Sequence, residues 1–172
     1  MEHFTEQESC KPYFERAYGY AVFENIGKIG IFFIGGATGE GNVCIKKDGQ
    51  FEKVGTSTMI QGSLGPQFGG QVYSMIIFFE TERDYNHFII DNFEFGADAN
   101  VVALTASASG KVTTMDKNIR ISAGIKPDDI AFESSTNVLL FTKGMALFTS
   151  TVAGLMYEAS LSGQKYKFKA LE

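Results

Sequence analysis

Strand-like segments studded with glycine run through almost the whole chain, and this pattern most constrains the fold. Tyr18 to Phe23 sets Tyr18, Tyr20 and Val22 against Gly19, Ala21 and Phe23, the two-residue period of a strand. Lys28 to Ile34 is apolar on both faces, as a strand covered on both sides is. Gly35, Gly36, Gly39 and Gly41 follow, and glycine at such density marks bulges, bends or close backbone approach. Val43 to Lys47 and Gln50 to Val54 flank Asp48-Gly49, the pair favoured in a type I′ hairpin turn. Phe68 to Phe79 is long enough for a bent strand, with Gly69 and Gly70 near its start. Val101 to Leu104, Val138 to Phe141, Met145 to Val152, Leu155 to Leu161 and Tyr166 to Phe168 complete the strands.

Two segments read as helices. Ser9 can cap the first, Pro12 sits in its first turn, and Tyr13, Phe14 and Ala17 share a face. Thr81 caps the second, with Asp84 placed three residues on as in a capping box. Tyr85, Phe88 and Ile89 then fall at helical spacing. Lys126-Pro127-Asp128-Asp129 reads as a turn. Together, about eight to ten strands and two short helices predict a mainly β fold of the α+β kind. The expected architecture is a strongly bent antiparallel β-barrel or a sandwich. Closure removes exposed edges, and glycine permits the bends.

The 172 residues favour a single domain. We expect a helical lead-in over 1–16, one domain over 17–170, and a cloning scar at Leu171 and Glu172. The net charge of -5 excludes the strongly basic profile of a nucleic-acid binder. No run of about 18 apolar residues occurs, so no transmembrane helix is expected. Met1 to Ser9 is acidic and polar, unlike a signal peptide. Cys10 and Cys44 can pair in an oxidising compartment, or stand as two thiols.

The sequence offers little catalytic chemistry. His3 and His87 are far apart, and His87 reads as a surface residue of the second helix. Neither belongs to a cluster of metal-ligand type. Gly62-Ser63-Leu64-Gly65 lacks the spacing of a nucleophile elbow, and no phosphate loop occurs. Neither cysteine has a histidine partner of the kind a nucleophile needs. Carboxylate pairs such as Glu94 and Asp98 are weak signals among 20 acids. No enzyme, metal or cofactor is expected.

The motifs themselves resemble a known family. Ala17-Tyr18-Gly19-Tyr20-Ala21-Val22-Phe23, Ile26-Gly27-Lys28 and Gly35-Gly36-Ala37-Thr38-Gly39-Glu40-Gly41 look like the opening of a SYLF domain. Gly69-Gly70-Gln71-Val72-Tyr73-Ser74, Asn92-Phe93-Glu94-Phe95-Gly96-Ala97, Gly144-Met145-Ala146-Leu147-Phe148 and Leu155-Met156-Tyr157-Glu158-Ala159-Ser160 follow in the family's order. The second half is most similar to the bacterial branch. Ile29-Gly30-Ile31-Phe32-Phe33-Ile34 departs from the pattern: the family places more glycine there, and this stretch is one residue longer.

The resemblance implies a non-enzymatic lipid-binding domain. Its ligand would be an anionic phospholipid or phosphoinositide, met at a membrane surface or in an apolar pocket. The alternative is a structural or protein-interaction module of the cell envelope without a lipid. Actin binding belongs to the fungal and animal branch and is not expected. Bacterial members are often exported, which implies the periplasm or cell envelope after removal of a signal peptide, with the cytoplasm as the alternative.

Seven residues are the candidate lipid contacts: Lys28, Lys46, Lys47, Phe32, Phe33, Lys165 and Lys167. Each has a plainer reading. Lys28 can be an edge charge that discourages strand pairing, and Lys46 and Lys47 can be solvated hairpin ends. Lys165, Lys167 and Lys169 alternate with Tyr166 and Phe168, so they share one sheet face. That face can meet an anionic bilayer or simply water. Phe32 and Phe33 can enter lipid or line an acyl pocket, but core packing is the stronger expectation for large aromatics.

Overall fold

The computed structural model of the chain describes residues 2–8, 10–65, 67–90, 93–95, 103–106, 112–114, 141, 144–158 and 161–171. The alternating segments become long strands. In chain order the elements are α1 (Glu2–Glu6), α2 (Lys11–Arg16), β1 (Gly19–Ile31), β2 (Ile34–Lys47), β3 (Gln50–Leu64), β4 (Gln67–Phe79) and α3 (Glu82–Ile89). Then come β5 (Phe93–Phe95), β6 (Ala103–Ala106), β7 (Val112–Thr114), β8 (Met145–Glu158) and β9 (Leu161–Ala170). Helices α1 and α2 both fall in the helical lead-in expected over 1–16; α1, only five residues long, is too short to leave a periodic signal of its own. The turn expected at 126–129 and the strand expected from Val138 lie outside the described residues, and the N-cap of α2 is Cys10, one residue later than the expected Ser9.

The strands form one sheet in the order β5-β9-β3-β2-β1-β4-β8-β6-β7. Neighbours are antiparallel except β6 and β8, which run parallel. A mainly antiparallel, bent sheet is as expected, but the barrel is not. Strands β5 and β7 are the two edges and do not pair, so among the described residues the sheet stays open. Each edge strand spans only three residues, too few to close a sheet whose central strands run 13 to 15. Register shifts after Phe23, Val43 and Val72 supply the bending. The interior is packed by helices laid on the sheet.

One hairpin turn confirms its sequence signal. Asp48 and Gly49 both have positive φ, 50° and 83°, as a type I′ turn needs. The other corrects it. Lys28 to Ile34 is not one strand: a two-residue turn at Phe32-Phe33 interrupts it, and Ile31 pairs with Ile34 across that turn.

Alternation along β4 builds a core on each face. Ile76 and Phe78 face α1 and α2, where Phe4, Tyr13, Tyr20, Val22 and Phe148 join them. Tyr13 lies 4.9 Å from Phe148 and 5.5 Å from Phe78, ring centre to ring centre. Met75, Ile77 and Phe79 face the other way and pack with Phe23, Ile26, Tyr166 and Phe88 of α3. The rings of Phe88 and Tyr166 are 5.2 Å apart. Burying side chains of this size contributes roughly 1.5–3 kcal/mol each.

Polar contacts fix the helices. The Asp84 carboxylate accepts from the Thr81 N–H at 3.1 Å and the Thr81 hydroxyl at 2.5 Å, so the expected cap is present. Gly144 lies against it with φ 76°, and a Cβ there would fall 2.1 Å from the carboxylate carbon. Lys46 Nζ donates to the carbonyls of Phe14 at 2.9 Å and Glu15 at 2.8 Å, which fastens the last turn of α2. Cys10 and Cys44 are both buried in the α1–α2 core as thiols, not as a disulfide. Burial pushes the Cys44 thiol up, and burial with the Cys44 hydrogen bond pushes the Tyr20 phenol up.

Candidate functional site

Helices α1 and α2 cover only one end of their face of the sheet. Toward the other end, pairing and alternation bring Ile29, Ile31, Ile34, Ile60, Leu64 and Phe68 onto the same face. These six are 59–69 % exposed, and the turn residues Phe32 and Phe33 reach 73 % and 65 %. This overturns two expectations, the core placement of Phe32 and Phe33 and the double burial of Lys28 to Ile34. Large apolar side chains gathered this way exceed the scattered exposure of an ordinary surface. Residues 27–37 and 59–72 hold one charged residue, Lys28, and it is buried on the opposite face.

Beside Ile29 and Ile60 lies a groove of about 760 Å³, open to solvent. Gly27, Gly36 and Gly70 lie low in it, and Ile29, Ile60, Thr38 and Val72 rise around them. Gly27 shows why glycine matters here: a Cβ would meet nothing within 4 Å, so its absence leaves room rather than relieving a clash. Such a mostly apolar concavity is the usual form of a small-ligand or lipid site.

The opposite face beneath the groove is polar, buried and bonded. Ser63 Oγ donates to Gln67 Oε1 at 2.7 Å, and Gln67 Nε2 donates back to the Ser63 carbonyl at 3.2 Å. Gln164 Nε2 donates to Gln61 Oε1 at 2.9 Å, and the Tyr166 hydroxyl to Gln164 Oε1 at 2.8 Å. Paired polar groups of this kind stiffen a sheet. Tyr166 is fully buried, and that burial holds its phenol well above the usual tyrosine value.

The seven candidate residues separate. Phe32 and Phe33 stand at the exposed end of the sheet. Lys165 and Lys167 of β9 are exposed on the groove's face, where they pair in register with Ile60 and Thr58, and Lys169 with Thr56. Glu94 of β5 stands opposite Lys165 in the register, and Glu40 lies beside Thr58. Lys46 and Lys47 lie at the far end of β2, on the order of 40 Å from the Phe32-Phe33 turn. Lys46 is engaged by α2, and Lys47 pairs with Glu52 at 3.2 Å. Lys28 is in the central strand β1 and 9 % exposed, so it is not an edge charge.

Sequence reasoning missed Ile29, Ile31, Ile34, Ile60, Leu64 and Phe68. The available signal was the scarcity of charge over 27–37 and 59–72, where Lys28 stands alone. Among the described residues, no three His, Cys, Asp or Glu side chains gather as a metal site. No helix there is long and apolar enough to cross a membrane.

Residues 60–170 match the family described as Ysc84: Las17-binding protein actin regulator. The chain is 28 % identical over 163 residues to Beta cell expansion factor A of Aeromonas veronii. That similarity covers 95 % of this chain and 50 % of the relative, so the chain spans about half the length of the curated relative it matches. No solved structure matches it.

Proposed function

The chain belongs to the Ysc84 family, the SYLF domains, and from that premise we propose that it is a non-enzymatic domain that binds anionic phospholipid at a membrane surface. One observation carries this reading. The apolar end of one face of the sheet, with its glycine-lined groove, is bordered on that face by Lys165, Lys167 and Lys169. Apolar side chains gain by leaving water, and each lysine near an anionic surface adds roughly 1 kcal/mol.

The described core is filled by its own aromatic side chains, which favours binding from outside over carriage of a lipid within. A phosphoinositide is one member of the same headgroup chemistry. The cell envelope is the proposed location, on the likeness to the bacterial branch, and fractionation of the producing cell checks it.

Co-sedimentation with vesicles of graded anionic content is the test. Binding that rises with anionic lipid and falls with salt supports the reading. Absence of binding to every vesicle, with no lipid co-purified, overturns it in favour of a protein-interaction module.

A further inference from the structure

Strand β2 runs between two tight hairpin turns of opposite character. At one end of β2, Asp48-Gly49 is polar, and its second residue is the glycine that positive φ favours. At the other, Phe32 holds φ 55° with no such relief. A bulky residue is rare in that region, and an outlier of this kind points toward function. The rings do not repay the fold by burial, since Phe32 and Phe33 are 73 % and 65 % exposed.

The turn is nevertheless held firmly. The Gln67 N–H donates to the Phe32 carbonyl at 2.6 Å, and the Gly65 N–H to the Phe33 carbonyl at 3.0 Å. The Gln67 side chain is itself fixed by Ser63. The connection between β3 and β4 therefore braces the Phe32-Phe33 turn, and Ile31, Ile34, Leu64 and Phe68 surround it with apolar surface.

The lysines stand at a fixed height above this end. Lys165 is level with Ile60, four residues along β3 from Leu64, a rise of about 14 Å. Half the hydrocarbon thickness of a bilayer is about 15 Å. Lys167 and Lys169 lie further up the same strand.

We propose that the braced turn is a wedge. The sheet stands on end in an anionic phospholipid bilayer, with Phe32 and Phe33 among the acyl chains, Lys165 at the level of the phosphates, and Lys167 and Lys169 above it on the aqueous side. This inference rests on the lipid-binding reading and adds orientation and depth to it. The charge pattern selects the bilayer as occupant: on the groove's face of β1 to β4, only apolar side chains and glycines lie below the lysines among the described residues.

The chain has no tryptophan, so an introduced one reports alone. Phe33→Trp marks the turn, and Thr56→Trp marks the same face near Lys169. Each variant is mixed with vesicles of equal parts phosphatidylglycerol and phosphatidylcholine, the latter brominated near the headgroup or near the chain end. The wedge requires Phe33→Trp to be quenched more by the deep bromine than the shallow, and Thr56→Trp by neither. The double variant Phe32→Ser/Phe33→Ser should keep the parent's thermal midpoint and partition at least tenfold more weakly.

If the vesicles bind but both tryptophans are quenched alike and only by the shallow label, the sheet lies flat. The wedge then falls while lipid binding stands. If the double variant instead turns a dimer into a monomer and leaves partitioning unchanged, the turn is a self-association site and the wedge is wrong. Failure of the parent chain to bind any vesicle removes both readings together.

Discussion

Replacing Phe32 by asparagine should separate folding from membrane binding. In the fold, two effects oppose each other. An L-residue at φ 55° carries roughly 1–2 kcal/mol of strain, which asparagine tolerates better. Against this, Phe32 is 73 % exposed, so about a quarter of a side chain of about 200 Å² is covered. That is about 55 Å², or about 1.4 kcal/mol at 25 cal/mol per Å². The two nearly cancel, and stability should change by less than about 1 kcal/mol. Phe88→Ala, by contrast, empties a site only 1 % exposed and should cost about 3–5 kcal/mol.

At the membrane only one effect remains. The exposed part of the Phe32 ring, about 145 Å², is worth about 3.6 kcal/mol on full transfer to hydrocarbon. Burial of half of it gives about 1.8 kcal/mol, about a twentyfold change in partitioning. Urea unfolding and vesicle co-sedimentation measure the two sides. A loss of more than about 2 kcal/mol in stability, or partitioning unchanged within about twofold, would refute the reasoning.

Other substitutions sort the lysines and the scaffold. Changing Lys165, Lys167 and Lys169 together to glutamine should weaken binding to anionic vesicles by about 3 kcal/mol, roughly two orders of magnitude, and leave neutral vesicles unaffected. Aggregation with unchanged binding would instead mark them as guards of a sheet edge. Lys46→Met should lower stability by roughly 1 kcal/mol through the lost α2 carbonyl contacts, with vesicle binding retained at saturating protein stability. Gly144→Ala should lose roughly 2–3 kcal/mol, because it strains φ 76° and displaces the Asp84 cap, read as a lower melting temperature.

The pH dependence has a definite sign. The folded Tyr166 phenol is held above its ordinary value by burial, so it stays protonated while the unfolded chain ionises. Its contribution is complete below about pH 10 and is lost as pH rises from there toward the folded value. Melting curves between neutral pH and pH 11 should show this fall, and Tyr166→Phe should flatten it.

Much of the scaffold was legible in the sequence because its signals are local. Asp48-Gly49 dictates a type I′ turn by itself, and Thr81 with Asp84 makes its cap within one helical turn. The exposed apolar end was not legible. Ile29-Gly30-Ile31-Phe32-Phe33-Ile34 has the composition of a buried strand, and only the partners on each side decide whether water reaches it. Lys28 was misread for the same reason: edge or centre is settled by strand order, which periodicity does not encode. Lys165, Lys167 and Lys169 were placed on one face correctly, since alternation requires nothing beyond the strand itself. Their position beside the groove follows from the β3–β9 register, a contact between residues about a hundred positions apart.

The central claim is that the Phe32-Phe33 end of the sheet, and not the Asp48-Gly49 end, meets the bilayer. Amide hydrogen exchange with and without anionic vesicles tests it within one molecule. New protection at 31–35 and 64–68, with 47–50 unchanged, is the expected result. Protection at 47–50 instead, or no change at either end while the protein is vesicle-bound, would contradict it.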